Sequence, residues 1–473
     1  MFEDEEEDYR EPENQSPWTK LPDLIIEKIF SYLTMRERYY ASMVCRRWHE
    51  AFYLPYAWHI FTFDERTLTR RRFNYYSGWQ FTLDHLRAQL CLATIGRNFR
   101  VLVFKPMTNF YNMYEFMNMI SYYAEQQGAD RVTVKGIGEN IKTLRYTFPC
   151  NMLARDESQQ ASRLYGTGGK LLEAVKRLMG NLKHLKRLEL IDLMLDNSEA
   201  VTLLDDVCCE CCTTLKYLSL LNFTKAKCHL LHVGVFLNLQ VLVISPHNIG
   251  EEVVELLSNT KLRHLHLSQT RFSTDAVQPV PAKVWSNLKK RAPNLRVHLT
   301  LETKGDRQLM WQECAPVASI LITSPHCKLE PLMLTRAVEW YRDTLELFGH
   351  IGIPRFHQAK SFNERLDPLL LMMTKECKHL NTLIIRERVS TATTILIAQH
   401  GKRLEKLYIR RNAVILKCDW PRNPSWTKDY HKWFKKTSKS YNLTEKEVAK
   451  FLRKSDWCMI EDKEFKHLSP NLY

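Results

Sequence analysis

Most of this chain repeats one pattern of aliphatic residues, L-x-x-L-x-L, with helix-like sequence between the copies. The alternation at the end of the pattern is typical of a strand with one buried face. Copies that begin at Leu215, Leu239 and Leu262 lie 24 and 23 residues apart, and Leu380 and Leu404 are separated by 24 residues. A strand–helix unit of this length exposes an apolar face that only its neighbours can cover. The pattern therefore predicts an α/β solenoid of stacked units.

Further copies extend the predicted array on both sides. They lie at Leu185-Leu188-Leu190 and, more weakly, at Phe99-Leu102-Phe104, Leu144-Tyr146-Phe148, 295–301 and Val317-Ile320-Ile322. Helix-like segments lie at 83–95, 111–123, 171–179, 252–257 and 369–373. The first strand is expected at 60–63, and the whole array should contain about a dozen units.

The array resembles the leucine-rich-repeat family. Cys212 and Cys377 each precede the first leucine of a copy by three residues, as in the cysteine-containing class of these repeats. The sequence departs from that family in lacking most of the asparagines expected after the strand, and its spacing is irregular near positions 144, 295 and 345. The resemblance implies an irregular horseshoe.

Residues 18–58 have a helical rather than a repeat pattern. Apolar residues after Pro22 follow the 3-and-4 spacing of a helix, and a proline suits the first turn because its missing N–H has no partner there. Thr34 and Glu37 form a capping-box signature, so a second helix should begin at this point, with a break near Ser42. Three short helices make a core too small to stand alone, so a partner is expected.

The same segment reads Trp18-Thr19-Lys20-Leu21-Pro22, then Ile29-Phe30-Ser31-Tyr32-Leu33, then Val44-Cys45-Arg46-Arg47-Trp48. In this order the residues resemble an F-box, the helical module that docks onto a Skp adaptor and through it onto a cullin-based ubiquitin ligase. The resemblance implies an adaptor-binding surface formed or supported by Leu21, Pro22, Ile25, Ile29, Phe30, Leu33, Val44, Cys45 and Trp48. The alternative is an ordinary helical hairpin packed on the rest of the chain.

These patterns divide the 473 residues into four regions. We expect a disordered acidic tail at 1–16, the F-box at 17–58, the repeat solenoid at 59–416 and a basic, aromatic cap or tail at 417–473. The predicted fold class is α/β, with an N-terminal three-helix module.

Composition changes this picture only slightly. Thirteen cysteines in a long chain indicate free thiols in a reducing compartment, and the acidic N-terminus lacks the basic and apolar parts of a signal peptide. No apolar run approaches the span of a bilayer, so no membrane is expected as a partner. We therefore expect a cytoplasmic or nuclear protein. The net charge of +15 favours acidic partners without identifying them.

Two motifs suggest chemistry at first sight. Cys208, Cys209, Cys211 and Cys212 are clustered, but neighbours on one helix point in different directions and no second pair follows, so burial is favoured over a zinc site. The glycine-rich stretch before Lys170 lacks the first glycine and the Ser or Thr of a phosphate loop. We find no enzyme signature, and we expect no cofactor and no metal.

The C-terminal region mixes aromatic and basic residues. Trp420, Trp426, Tyr430, Trp433 and Phe434 alternate with lysines, and a basic helix is predicted at 444–454. Such a mixture can bind single-stranded nucleic acid, with bases stacked on the rings. It also suits a terminal cap, whose rings cover the last repeat while the lysine ammonium groups remain in water. The second interpretation is favoured because a solenoid needs an end cover.

An F-box followed by leucine-rich repeats resembles the substrate receptors of SCF (Skp–cullin–F-box) ubiquitin ligases, with repeats similar to those of animal F-box-only proteins. The resemblance implies a Skp adaptor, and through it cullin, as partners, and a protein substrate on the repeats. Ubiquitin chemistry then belongs to other subunits. Two alternatives remain open: a nucleic-acid-binding adaptor that uses the basic tail, and an F-box scaffold that does not direct degradation.

The polar positions of the strand pattern indicate where a substrate would bind. They supply Lys216, Tyr217, Arg263, His264, His266, Tyr408 and Arg410. Arginine and lysine side chains gathered on one surface favour an acidic or phosphorylated segment. The alternative is that these are solvated strand residues without a ligand.

Overall fold

The computed structural model describes residues 17–76, 78–126, 136–148, 169–273, 277–303 and 307–470. They form two compact units, divided after Glu189 except that Cys209–Cys211 belong to the first unit. The predicted acidic tail and most of the glycine-rich stretch before Lys170 lie outside the described residues.

The first unit begins with the predicted helical module. Its helices are α1 (Asp23–Tyr32), α2 (Met35–Ser42) and α3 (Arg46–Phe52). The capping box forms as expected, because Thr34 N–H donates to Glu37 Oε2 at 2.7 Å and Glu37 N–H donates to Thr34 Oγ1 at 3.4 Å. The chain turns after Ser42, so the predicted break separates α2 from α3.

Parallel strands with intervening helices follow in the first unit. In chain order the elements are β1 (Ile60–Phe63), β2 (Thr69–Asn74), β3 (Gly78–Leu83), α4 (His85–Ile95), β4 (Val101–Phe104), α5 (Phe110–Glu125), β5 (Thr143–Thr147), α6 (Lys170–Gly180) and β6 (Arg187–Ile191), the last of which reaches the division. Strands β1, β4 and β5 pair in parallel. Strands β2 and β3 instead form an antiparallel hairpin that the repeat pattern did not predict.

The second unit continues the strand–helix alternation. Its elements are α7 (Asn197–Cys211, whose last three residues belong to the first unit), β7 (Tyr217–Leu221), β8 (Val241–Ile244), α8 (Glu251–Leu257), β9 (His264–Thr270), α9 (Ala282–Arg291), β10 (Arg296–Glu302), β11 (Val317–Ile322), α10 (Pro331–Tyr341), β12 (Leu347–His350), α11 (Asp367–Glu376), β13 (Thr382–Ile385), β14 (Val389–Ser390), α12 (Thr391–His400), β15 (Lys406–Ile409) and β16 (Val414–Ile415). Strands β7 to β13 and β15 pair in parallel in chain order.

The leucines of the repeat pattern form the core of this unit. Leu218, Leu242 and Leu265 are opposite one another on neighbouring strands, and each is 0% exposed. Because parallel strands in register bring equivalent positions together, one stripe of leucines per strand makes a continuous apolar layer against the helices. The predicted α/β fold class is confirmed.

Strand β12 departs from the repeat pattern. It has Phe348 at the middle aliphatic position of the pattern, opposite Ile320 and Leu383, but His350 where the last aliphatic residue is expected. A Cβ at Gly349 would lie 3.0 Å from Ile384 Cδ1 and 3.1 Å from Leu321 Cδ1, so the glycine permits these two side chains to approach each other. Gly349 lies between Phe348 and His350, on the sheet face opposite the core leucines, where it leaves room for side chains of the two neighbouring strands.

The chain ends in three further helices of the second unit. They are α13 (Lys428–Thr437), α14 (Tyr441–Leu452) and α15 (Asp462–Phe465). Helix α12, on which α13 and α14 pack, is buried at every position from Thr391 to Ala398. A helix that is buried on all sides requires such a cover.

Candidate functional site

The interior of the helical module is built from one face of α1. Ile26 and Phe30 are 0% exposed, and the edge of the Trp48 ring packs on Phe30 with centroids 5.7 Å apart. Trp48 Nε1–H donates to the carbonyl oxygen of Trp18 at 3.2 Å, which holds the N-terminal segment against the helices. Phe30 and Trp48 thus support the module from inside.

The opposite side of the module presents apolar side chains to solvent. Leu24 is 78% exposed and Ile25 48% on α1, and Met43 and Val44 are 66% and 68% exposed in the turn between α2 and α3. A small module that leaves this much apolar surface uncovered is typical of a docking site for another protein.

The predicted adaptor-binding residues therefore have two kinds of environment. Ile25, Pro22 and Val44 are exposed, whereas Phe30 is fully buried. The remaining predicted residues are half-buried: Leu21, Ile29, Leu33, Cys45 and Trp48. The exposed residues can touch a partner directly, and Phe30 can act only by shaping the helices.

Two charged residues inside the module were missed by the sequence analysis. Arg38 is 8% exposed, donates from Nε to the carbonyl oxygens of Phe30 at 2.9 Å and Leu33 at 3.0 Å, and lies over the Trp58 ring. Burial lowers the pKa of Arg38. Glu27 accepts a hydrogen bond from the Tyr56 N–H at 3.1 Å. The sequence spacing of Arg38 and Glu27 does not predict these hydrogen bonds, because both side chains bind backbone groups that come near them only on folding.

In the second unit, one row of side chains runs across the sheet on the face opposite the core leucines. We call this row the face ladder; its members are Ser219, Val243, His266, His298 and Ser319, in register on β7 to β11. Neighbouring strands stand about 4.8 Å apart, so these side chains cover one another. His266 and His298 stack with ring centroids 4.3 Å apart, and His298 Nδ1 lies 2.7 Å from Ser319 Oγ.

The structure separates the predicted substrate-binding residues by exposure. Lys216 and Arg263 are exposed just before β7 and β9, and Tyr217 and His264 are half-buried where these strands begin. His266 is only 4% exposed, because it lies within the face ladder. It has too little surface to contact a substrate and is removed from the candidate set.

The histidines of this face are held neutral by their surroundings. Burial, together with repulsion from the neighbouring His264, lowers the pKa of His266 to about 4. Burial also lowers the pKa of His298, with added repulsion from His266, His264 and Arg296. His264 Nδ1 lies 3.0 Å from His298 Nε2, so only one of these two nitrogens carries the shared proton.

These lowered pKa values predict that the second unit loses stability in mild acid. Between pH 6.5 and about 4 the unfolded chain binds protons at these positions while the folded chain does not, so the free energy of unfolding falls as the pH falls. From pH 7 to 5 each of His266 and His298 should contribute a loss of about 2 kcal/mol. Urea unfolding at both pH values measures this loss.

The matched comparison is between two variants. The double variant His266→Asn, His298→Asn should show a shallower dependence of unfolding free energy on pH than the parent chain, whereas His85→Asn, at an exposed site, should keep the parent's slope. Equal slopes in all three proteins would show that the buried histidines do not control acid stability.

The C-terminal segment lies on the same face of the sheet, over its later strands. Phe465 is fully buried against a cluster of aliphatic side chains: Leu321, Leu347, Ile351 and Ile384. Tyr408 packs against this cluster, and Arg410 donates from Nε to Asp462 Oδ1 at 2.6 Å. These two predicted substrate-binding residues are therefore already engaged by the chain itself, and Arg410 is removed from the freely available set.

The aromatic residues of the tail are packed within the fold. Trp420 Nε1–H donates to Thr393 Oγ1 at 2.8 Å, and Tyr430 O–H donates to Gln399 Oε1 at 2.6 Å, so both side chains are hydrogen-bonded to α12. Phe434 is 0% exposed. This arrangement supports the cap interpretation, because these three side chains are engaged by the rest of the second unit.

Within the described ranges, no three His, Cys, Asp or Glu side chains are arranged to hold a metal ion. In the cysteine cluster, Cys211 is buried but Cys209 is exposed, so the expectation that all four are buried is wrong. The cluster lies near the end of a helix, whose periodicity directs adjacent side chains about 100° apart. No helix among the described residues is long and apolar enough to span a bilayer.

Comparison with known proteins gives the helical module a family. The F-box-like family model matches residues 18–64. The chain thus carries an F-box-like domain, followed by an α/β fold in which parallel strands alternate with helices.

Among individual proteins, the chain is similar to F-box/LRR-repeat protein 21. It is 40% identical to the Bos taurus protein over 57 residues, which are 12% of this chain and 13% of that protein. It is 47% identical to the Mus musculus protein over 47 residues, or 10% and 11% of the two chains. Each match thus covers only a small part of the relative's length.

Comparison with solved structures finds weak similarity to the yeast Rad7–Elc1 complex and to an internalin from Listeria monocytogenes. The first has a TM-score of 0.34 at 12% identity and covers 87% of this chain and 93% of that one. The second has a TM-score of 0.26 at 12% identity and covers 67% and 76%.

Proposed function

We propose that this protein is the non-catalytic substrate-receptor subunit of an SCF-type ubiquitin ligase. The observation that carries the proposal is the F-box-like match at residues 18–64 on a module whose outer side exposes Ile25 and Val44. Apolar contacts from such a patch to a Skp-type adaptor would cover the surface that the module cannot bury itself. Cullin then joins through the adaptor, and ubiquitin transfer takes place on other subunits.

The repeats supply the substrate-binding half of the proposal. Lys216, Tyr217, Arg263 and His264 form the set that remains accessible on the early strands of the second unit. Two cationic groups beside an aromatic ring suit an acidic or phosphorylated segment of a protein, which charge-assisted hydrogen bonds would hold. The receptor acts by proximity, because it holds the substrate near a ubiquitin-loaded enzyme.

The adaptor half is tested by changing Leu21 and Pro22 together to Ala. The double variant loses the apolar contact of Leu21 and the proline that directly precedes α1, so we expect it to lose capture of the Skp adaptor and of cullin in affinity purification. The second unit contains neither residue and should keep its unfolding transition. Undiminished co-purification of the adaptor would remove the F-box from the proposal.

A second double variant, Lys216→Glu with Arg263→Glu, is the complementary control. It should still capture the adaptor and cullin but should lose proteins whose capture is sensitive to phosphatase treatment. Adaptor without cullin in the purified complex would favour a scaffold that does not direct degradation. An unchanged set of captured proteins would show that Lys216 and Arg263 do not recognise the substrate.

A further inference from the structure

The β2–β3 hairpin carries four large aromatic residues that the fold leaves uncovered. Phe73 is 62% exposed, Tyr75 87%, Tyr76 95% and Trp79 61%. Exposed aromatic rings gathered on one short element are unusual in a monomer and are typical of interaction sites. The hairpin has no part in the adaptor-binding or substrate-binding surfaces proposed above.

The hairpin is also strongly basic. Residues 69–83 include three arginines and no acidic residue. Arg70 is paired with Asp84, and the Arg71 guanidinium lies over the Trp79 ring at 4.9 Å from its centroid. Arg72 is exposed. The charge favours an anionic partner, and Arg72 is the best placed of the three to bind it.

The register of the hairpin sorts these groups onto two faces. Arg71 is opposite Phe81 and Phe73 is opposite Trp79, so one face is mainly aromatic. Arg72 and its neighbour Arg70 lie on the other face, because side chains alternate along a strand. Phe73 and Trp79 meet edge to face at 68°, with centroids 5.4 Å apart.

One edge of the hairpin is occupied and the other is open. On β3, Asn112 of α5 accepts from the Leu83 N–H at 2.8 Å and donates to the Phe81 carbonyl oxygen at 2.9 Å. The N–H of Leu83 and the carbonyl of Phe81 thus point away from β2. Arg71 and Phe73 occupy the equivalent positions on β2, so their N–H and carbonyl groups point outwards on the opposite edge. In the part of the chain that the structure describes, no strand lies beside that edge of β2.

We propose that the open edge of β2 binds an extended segment of a partner protein in which acidic and apolar residues alternate. Backbone groups of Arg71 and Phe73 would pair with the added strand, as in other cases where a peptide extends a sheet. Side chains of the guest on one face would meet Phe73 and Trp79, and those on the other would meet Arg72. The two faces of the hairpin therefore require the two kinds of residue to alternate.

Single-stranded nucleic acid is the competing anionic ligand. It needs ring faces that are open and able to stack on successive bases. Here Phe73 covers Trp79 with an edge contact, Arg71 covers its face, and the Tyr75 and Tyr76 rings stand at 85° to each other. The rings thus favour a protein segment over a row of bases.

The test uses the full chain and fluorescence anisotropy of labelled peptides about six residues long, the length of an ordinary strand. A peptide of alternating Glu and Val should bind at least about tenfold more tightly than a peptide with the same residues in two blocks. Methylation of the backbone nitrogens that pair with β2 should abolish its binding, since the added strand depends on those donors.

Variants of the hairpin locate the site. Arg72→Glu should weaken binding of the alternating peptide by about tenfold, because one charge-assisted contact becomes a repulsion. Phe73→Ser with Trp79→Ser should weaken it at least as much. Arg100→Glu, an exposed charge reversal in the same unit, is the matched control and should leave the affinity unchanged. All variants should keep the parent's melting temperature.

Three results would overturn the proposal. One is equal binding of the alternating and blocked peptides, and another is an unchanged affinity in the folded Arg72→Glu variant. The third is tight, salt-sensitive binding of a short oligouridine that depends on Trp79 while neither peptide binds, because that outcome assigns the hairpin to nucleic acid.

Discussion

Deletion of residues 420–473 should abolish cooperative unfolding of the second unit and make the chain aggregate. The deleted part covers α12, every residue of which from Thr391 to Ala398 is buried. It also contributes side chains that are 0% exposed: Phe434, Val448 and Phe465. Each such apolar side chain contributes about 1.5–3 kcal/mol on burial. The loss of all three therefore removes a large part of the roughly 5–15 kcal/mol that stabilises a typical domain.

Point variants separate the two parts of this cover. Phe434→Ala on α13 and Phe465→Ala on α15 should each lower the unfolding free energy by about 3–5 kcal/mol. Lys435→Ala, exposed on α13, should leave it unchanged and serves as the control. Solubility, urea unfolding and thermal melting provide the measurements.

A truncated chain that stays soluble with an unchanged melting curve would contradict the cap interpretation. If that chain also lost binding to single-stranded nucleic acid, the alternative of a nucleic-acid-binding tail would be favoured instead.

The replacement of Asp367 by Ala should lower the unfolding free energy of the second unit by about 3–5 kcal/mol, since it breaks a buried ion pair from one side. The Asp367 carboxylate is 0% exposed and binds the Arg365 guanidinium through two contacts of 2.9 and 3.1 Å. It also accepts from the Ser390 N–H at 3.1 Å and from the hydroxyl of Thr393. The substitution leaves several buried donors without an acceptor.

The charge of Arg365 makes the loss large. Burial by itself lowers the pKa of Arg365, but the hydrogen bonds to Asp367 and Asp419 raise it overall, so the side chain stays charged. Without Asp367 the cation keeps a single carboxylate, Asp419, at 2.7 Å. Desolvation of the charge is then only partly compensated.

Urea unfolding of three proteins measures this effect. Asp367→Asn keeps some acceptors and should be intermediate between the parent and Asp367→Ala. Asp343→Ala removes an ion pair whose side chains are 62% and 72% exposed, and it should leave the unfolding free energy nearly unchanged. A similar small cost for Asp367→Ala would refute the idea that this buried pair holds α11 to the segment before α12.

Much of the repeat fold was predictable because the residues that define it act through short-range patterns. Leu218, Leu242 and Leu265 have a fixed place in a strand of fixed length, so their burial follows from spacing alone. The helical module was predictable for a related reason: Thr34 and Glu37 make their capping contacts within one turn.

The candidate site was predictable only in part. Exposure of Ile25 and Val44 agrees with a docking role, but Phe30, from the same motif, is buried. In the strands, Lys216 and His266 both occupy polar positions of the pattern, yet only Lys216 is exposed. Alternation predicts which side of a strand a residue occupies, and it does not reveal how neighbouring strands crowd that side.

The F-box-like module, the α/β class and most of the strands could be predicted from the sequence, because each is indicated by a pattern among residues a few positions apart. The folded structure was needed to show that Arg410 meets Asp462, that Phe465 lies on the sheet face, and that the hairpin leaves one edge of β2 open. These features depend on contacts between residues far apart in the chain or on where a whole element lies. Local hydrophobic periodicity carries no information about such contacts, so they become visible only when the chain is folded.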